Sequence, residues 1–259
     1  MRIYLPPPFA VVAVGAVLLA VAALTLYIPA DWVADLGPPP DALEYAVTGK
    51  SIAHGGPYSI SLLGHLYPPR YPFGFPVLIA PMYVLPGATL ANGIYGVGLF
   101  GVLTVVLVYR LTVLLDGQFA GMMAGAILLL LPQYLSWNHQ VMSETASAAL
   151  TVIAALLLYR IADGDDGRRR RIRLTLLGLI CGLAILVHIT NVALLLASFA
   201  VLLLIPSIRK RAGRPLLALA AGPLIAVVIL CGYNWMTFGR FTGTGYAYWA
   251  PEWYGTLGK

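Results

Sequence analysis

The sequence predicts an all-α integral membrane protein of about seven transmembrane helices with a long first external loop carrying short interfacial helices. Three observations carry this. The 259 residues are 60% apolar and only 10% charged, where a soluble domain has about a quarter of its positions charged. Apolar runs approach the roughly 20 residues that cross a hydrocarbon layer. The few Lys and Arg residues lie between alternate runs, as positive-inside topology requires. The same facts exclude other classes. Cys181 and Cys231 are too few for a disulfide framework and lie inside apolar runs. The 27 glycines and 19 prolines follow no three-residue period, against collagen. A net charge of +6 marks a nucleic-acid surface only when the basic groups form a folded, water-facing patch; here they separate spans, so no nucleic acid is expected.

The whole chain, 1–259, reads as a single transmembrane domain. Residues 9–28 form the first span, longer than the apolar part of a cleaved signal peptide and expected to stay as an anchor. Residues 29–89 are an external loop and interfacial segment. Within it, 41–53 is expected to be a short capped helix after three prolines. Asp41 would be its N-cap, Glu44 its capping-box partner, and Leu43, Val47 and Ile52 its apolar face. Next comes a proline- and aromatic-rich stretch around Arg70, in which prolines forbid a regular span. A tyrosine-anchored interfacial loop and a binding wall both fit it.

Residues 90–235 supply six further spans, at about 90–115, 119–135, 141–161, 174–187, 192–205 and 215–235. His188, Ile189, Thr190 and Asn191 turn a tight helical hairpin between two of them. Residues 236–259 form an external C-terminal segment.

With the N-terminus inside, the cytoplasmic segments hold 12 of the 16 basic residues, and only Lys50, Arg70, Arg240 and Lys259 lie outside. The run from Arg168 to Arg173 reads as a solvated loop that fixes topology and attracts anionic membrane lipid. Asp163, Asp165 and Asp166 read as turn residues of the same loop. The topology fits an external site at a bacterial inner membrane or in an endoplasmic-reticulum lumen; short loops favour the bacterial inner membrane, with the N-terminus cytoplasmic and the C-terminus external.

Asp31, Asp35, Asp41, Glu44, Glu144 and Glu252 fall on the external side. Glu144, near Asn138 and His139, stands where a helix enters the membrane. Acids in such positions mark functional sites, although a first-turn acid also suits the helix dipole. His188 and Asn191 reach the same face. No spacing forms a zinc motif, and no metal ligand is assigned.

These residues resemble the GT-C class of polytopic glycosyltransferases, especially the branch of protein O-mannosyltransferases and bacterial aminoarabinose transferases, and specifically its N-terminal half. The matching elements are Asp41, Glu44 and Tyr45 in the first external loop and the YPFGFP element at Tyr71. They continue with Met142-Ser143-Glu144-Thr145, then Gly232-Tyr233-Asn234 with Phe238-Gly239. The resemblance implies sugar transfer from a polyprenyl-phosphate donor to an acceptor hydroxyl, with inversion and with Asp41 as general base. Glu44 belongs to the acidic motif. Arg70, beside Tyr71, would meet the leaving phosphate, with Arg240 as a second cation. Glu144 with His139 or His188 would orient the acceptor or hold a divalent metal ion, and Asn191 would line the site. Members usually have more spans, so the expectation is either a truncated product or a partner subunit that completes the site. The rival readings are a flippase subunit for lipid-linked sugars and an inactive or assembly subunit.

Overall fold

The computed structural model describes residues 40–163, 167–204 and 213–251. The expected first span, Asp31, Asp35, Asp165, Asp166, Glu252 and the end of the 192–205 run lie outside the described residues. Among the described residues the regular elements are helices apart from one small hairpin.

Helix α1 (Asp41–Ala53) forms where expected, but its cap and its buried face differ from the sequence reading. Pro40 is the cap residue and no side chain caps the helix; the Glu44 N–H is satisfied by the Pro40 carbonyl at 2.9 Å. The buried residues are Ala42, Glu44, Tyr45, Ala46, Thr48 and Gly49, while Leu43 is exposed. Ala42, Ala46 and Gly49 share one face at helical spacing, and their small size lets α1 press close to its neighbours. A Cβ on Gly49 would lie 3.0 Å from the Tyr83 ring and 3.3 Å from the Pro76 carbonyl.

Strands β1 (Ile60–Leu62) and β2 (His65–Tyr67) form an antiparallel hairpin with Leu62 opposite His65. Its two turn residues, Leu63 and Gly64, have φ of 51° and 81°. Positive φ at both central positions gives the primed turn that matches strand twist.

The proline-rich stretch then folds into α2 (Gly74–Ile79) and a 3-10 turn, Ala80–Tyr83. Pro76 is tolerated because it sits in the first turn, where its missing N–H has no partner to lose. One face of this segment packs inward while Val77 is exposed. Gly74, Phe75, Pro76 and Ile79 are buried, and Gly74 rests directly on the Leu186 backbone, where a Cβ would clash.

After a 3-10 turn at Leu90–Asn92, helix α3 (Gly93–Leu130) is broken at Asp116 and Gly117, whose φ/ψ values are not helical. The arms 93–115 and 118–130 fold back on each other. Gly121 faces Val113 and Tyr109, Gly125 faces Val105, and beyond the second arm the Tyr134 hydroxyl donates to the Gly101 carbonyl at 2.6 Å. The second arm ends at Leu130, short of the expected 135, because Pro132 opens a separate short helix, α4 (Pro132–Asn138).

The remaining elements are α5 (Glu144–Ala162), α6 (Gly167–Val187), a 3-10 turn at Ile189–Asn191, α7 (Val192–Leu204), α8 (Gly213–Phe238) and α9 (Gly245–Trp249). Helix α6 begins at Gly167, just before the arginine run, so residues read as a loop form its first turns. α6 and α8 touch through glycine. Side chains at Gly178, Gly182 or Gly222 would run into the facing backbone, the small-residue contact that lets membrane helices pack closely.

Among the described residues, Leu90–Leu130, Glu144–Ala162 and Leu217–Phe238 are long and apolar enough to cross a membrane. Exposed leucines and valines along α7 and α8, such as Leu196, Leu203, Leu224 and Val228, form the apolar surface expected of lipid contact. One core cluster joins α1, α2, α3 and α5 around Tyr45, Phe75 and Tyr83; a second joins α5, α6, α7 and α8 around Leu177 and Cys181.

Candidate active site

The site is built where α1 meets the segment just before α2. Glu44 is buried on α1, its side chain 4% exposed. Its Oε1 accepts from the backbone N–H groups of Arg70 and Tyr71, and its Oε2 accepts from Arg70 Nε at 3.0 Å. Burial pushes the Glu44 carboxyl above its usual range, a shift that the Arg70 guanidinium and the two N–H groups partly reverse. This is why Glu44 makes no capping box: a charged partner 26 residues away satisfies its carboxylate better than its own helix end does.

The Arg70 guanidinium extends past Glu44 to Asp41, with Nη2 3.8 Å from Asp41 Oδ1. The Asp41 and Arg70 side chains are 30% and 25% exposed. One carboxylate is thus sealed behind the arginine and the other stands with it at an opening.

Tyr71 completes this corner. Its hydroxyl engages the Asp41 carboxylate and the Tyr246 hydroxyl. Burial, then the contact with Asp41, raises the phenol well above its usual range, so it stays protonated and donates. The Arg70 guanidinium lies 5.8 Å from the centre of the Tyr71 ring. Tyr45 stacks obliquely on Tyr71 with ring centres 4.8 Å apart and meets Phe75 edge-on at 4.9 Å.

Tyr45 also links the corner to α5, its hydroxyl lying 3.5 Å from Ser143 Oγ. Glu144, the first residue of α5, has Oε2 buried with no hydrogen-bond partner. The His188 ring lies 6.3 Å from the Tyr71 ring, and its Nδ1 is 2.7 Å from Thr190 Oγ1.

The structure therefore gathers Asp41, Glu44, Arg70, Tyr71 and His188, with Glu144 joined through Tyr45 and Ser143. Three other expected residues are engaged differently. The His139 Nδ1–H donates to the Leu135 carbonyl within its own helix at 2.7 Å. The Asn191 amide donates to Ser147 Oγ and the Ala184 carbonyl, both at 2.9 Å, tying α5 to the end of α6. Arg240 is exposed in the turn after α8. Among the described residues no three His, Cys, Asp or Glu side chains come together to hold a metal ion. The cation between Asp41 and Glu44 is a guanidinium.

Tyr58 and Tyr246 were not singled out by the sequence, whereas Tyr233 belongs to the Gly232-Tyr233-Asn234 element. The Tyr58 hydroxyl donates to the Tyr71 carbonyl at 2.8 Å, and its ring meets Tyr233 at 5.7 Å. Tyr246 lies edge-on to Tyr71 at 5.4 Å. It is carried by α9, which Thr244 caps by accepting from the Ala247 N–H at 3.1 Å. Gly245 touches the Pro69 carbonyl with no room for a side chain, and Trp249 Nε1–H donates to the Pro68 carbonyl at 2.7 Å. A threonine cap, a glycine and an aromatic triplet within GTGYAYW were the available signal.

The family model for dolichyl-phosphate-mannose-protein mannosyltransferases matches residues 70–235, more than half of the sequence. The chain belongs to this family. It is thereby a GT-C class membrane glycosyltransferase sequence, as the ordered motifs implied. The match begins at Arg70, so the α1 carboxylates precede it. No curated protein matches. Among solved structures, the chain is similar in fold to ArnT from Cupriavidus metallidurans, whose crystal structure contains undecaprenyl phosphate. The TM-score is 0.65 at 18% identity, over 96% of this chain and 45% of that one. The chain thus spans less than half the length of that relative.

Proposed function

We propose that this member of the mannosyltransferase family transfers a sugar from a polyprenyl-phosphate donor to an acceptor hydroxyl at the outer face of a bacterial inner membrane. In this reading the N-terminus is cytoplasmic and the C-terminus external. The observation that carries it is the Arg70 guanidinium, fixed by buried Glu44 beside the half-open Asp41 carboxylate. A base and a cation at one opening are what displacement of a phosphate from an anomeric carbon requires. The undecaprenyl phosphate bound by the structural relative agrees with a lipid-borne donor.

In the proposed reaction Asp41 takes the proton of the acceptor hydroxyl as its oxygen attacks the anomeric carbon. The bond from that carbon to the phosphate oxygen breaks on the opposite side, so the configuration inverts. Its electron pair stays on the phosphate, where Arg70 meets the growing charge. The Tyr71 hydroxyl orients Asp41, and Glu44 acts through Arg70 as a positioning residue. Glu144, whose Oε2 lacks a partner, accepts a hydrogen bond from the acceptor.

The test is transfer from a polyprenyl-phosphate sugar in proteoliposomes, wild type against Asp41→Asn. General-base removal is expected to cost on the order of 10²- to 10⁴-fold in rate with donor binding retained. Equal rates remove Asp41 as the base.

A further inference from the structure

Helix α6 has two differently built ends. At Val187 it supports the site, through the contact of Gly74 with the Leu186 backbone. Its other end carries the arginine run. The 21 residues between these ends span about 31 Å at 1.5 Å per residue, close to the thickness of a hydrocarbon layer.

A cavity of about 550 Å³ opens at the arginine end between α6 and α8, with Arg170, Arg171 and Thr175 as its polar lining and Leu174, Leu217 and Ala218 as its apolar one. Arg170 Nε is buried there without a hydrogen-bond partner. Among the described residues no carboxylate pairs with Arg170 or Arg171, since the ion pairs present are those of Arg70. Arg173 is turned elsewhere, donating to the Arg160 carbonyl at 3.0 Å. The Thr175 hydroxyl donates to the Arg171 carbonyl at 3.1 Å, which leaves its oxygen able to accept. The first N–H groups of α6 add the positive end of a helix dipole.

We propose that this groove binds the phosphate headgroup of an anionic membrane phospholipid, with Arg170 and Arg171 as its ligands. A buried guanidinium nitrogen with no partner calls for an anionic acceptor. The rim calls for an apolar tail on the same molecule, because Leu217 in its lining is exposed. A free phosphate would satisfy the arginines and leave that surface bare. Basic pockets between helices at headgroup depth are suited to such lipids. The site is separate from the donor phosphate at Arg70, which lies at the other end of α6, and it does not depend on the transfer reaction proposed above.

The experiment is native mass spectrometry of the full chain in detergent, titrated with phosphatidylglycerol, phosphatidylcholine or inorganic phosphate, with thermal unfolding in parallel. Phosphatidylglycerol is expected to bind and raise the unfolding temperature. Arg170→Gln is expected to weaken binding about fivefold, whereas Arg168→Gln, the same charge change outside the lining, leaves it intact. Leu217→Trp is expected to fill the groove and block the lipid without altering charge; because Leu217 is exposed, this variant keeps the test alive if Arg170→Gln does not fold. Equal weakening by Arg168→Gln, equal binding of phosphatidylcholine, or stabilisation by millimolar phosphate alone would each overturn the lipid assignment.

Discussion

Replacing Arg70 with methionine tests the corner most directly. The substitution keeps the apolar stem of the side chain, removes the guanidinium and its charge, and leaves behind a Glu44 whose side chain is 4% exposed. Removing one partner of a buried pair costs roughly 3–5 kcal/mol. The backbone N–H groups at residues 70 and 71 still donate to Oε1, which sets the expectation at the low end, about 3 kcal/mol. The Asp41 contact, at 3.8 Å between partly exposed groups, adds at most about 1 kcal/mol. A double-mutant cycle separates the two. Arg70→Met with Glu44→Gln is expected to recover about 2 kcal/mol relative to additivity, whereas Arg70→Met with Asp41→Asn is nearly additive. Chemical unfolding in detergent micelles reads both couplings. Strict additivity of Arg70→Met and Glu44→Gln would refute the anchoring role of Glu44, as would a larger coupling to Asp41.

Other expectations follow from named contacts. Gly182→Val drives a side chain into the Gly222 backbone and is expected to lower stability by about 1–3 kcal/mol. Gly232→Ala on the same helix α8 meets nothing within 4 Å and is expected to gain about 0.5–1 kcal/mol; unfolding of the pair reads the difference in sign. Leu63→Gly is expected to stabilise the hairpin by about 1 kcal/mol. Leu63 is fully exposed and holds φ at 51°, so it loses no packing and relieves a left-handed backbone; hydrogen exchange at residues 60–67 measures this. Single-cysteine variants Asp41→Cys and Arg169→Cys in sealed vesicles are expected to react with impermeant reagents from opposite sides. Labelling from one side would remove the topology behind the proposed site.

Much of the helical order could be read from hydropathy, because apolar runs have few alternatives in a bilayer. The break between two antiparallel arms at Asp116 and Gly117 fell where two spans were separated in the sequence. What could not be read depends on contacts that hydropathy does not weigh. Ala42, Ala46 and Gly49 score weakly on any apolar scale, yet they form the buried face of α1 because their size permits approach. Glu44 carries a capping-box signature, and only the fold reveals that Arg70 competes for it. Leu63 is no turn former, so the hairpin gave no local signal. Within the candidate site, Asp41, Arg70 and Tyr71 were legible from scarce charge beside prolines. Tyr246 was not, since nothing in residues 245–249 announces that they close over Pro68 and Pro69.

That closure has a consequence for how the protein is made. The Trp249 to Pro68 bond joins positions 181 residues apart. At a ribosomal rate of about 5–20 residues per second, roughly ten to forty seconds pass between synthesis of the arginine-bearing segment and synthesis of the aromatic clasp that pins it. Throughout that interval the segment sits beside α1 without its final restraint. The candidate corner therefore cannot reach its final form until residue 249 has been made, well after its own carboxylates have been translated.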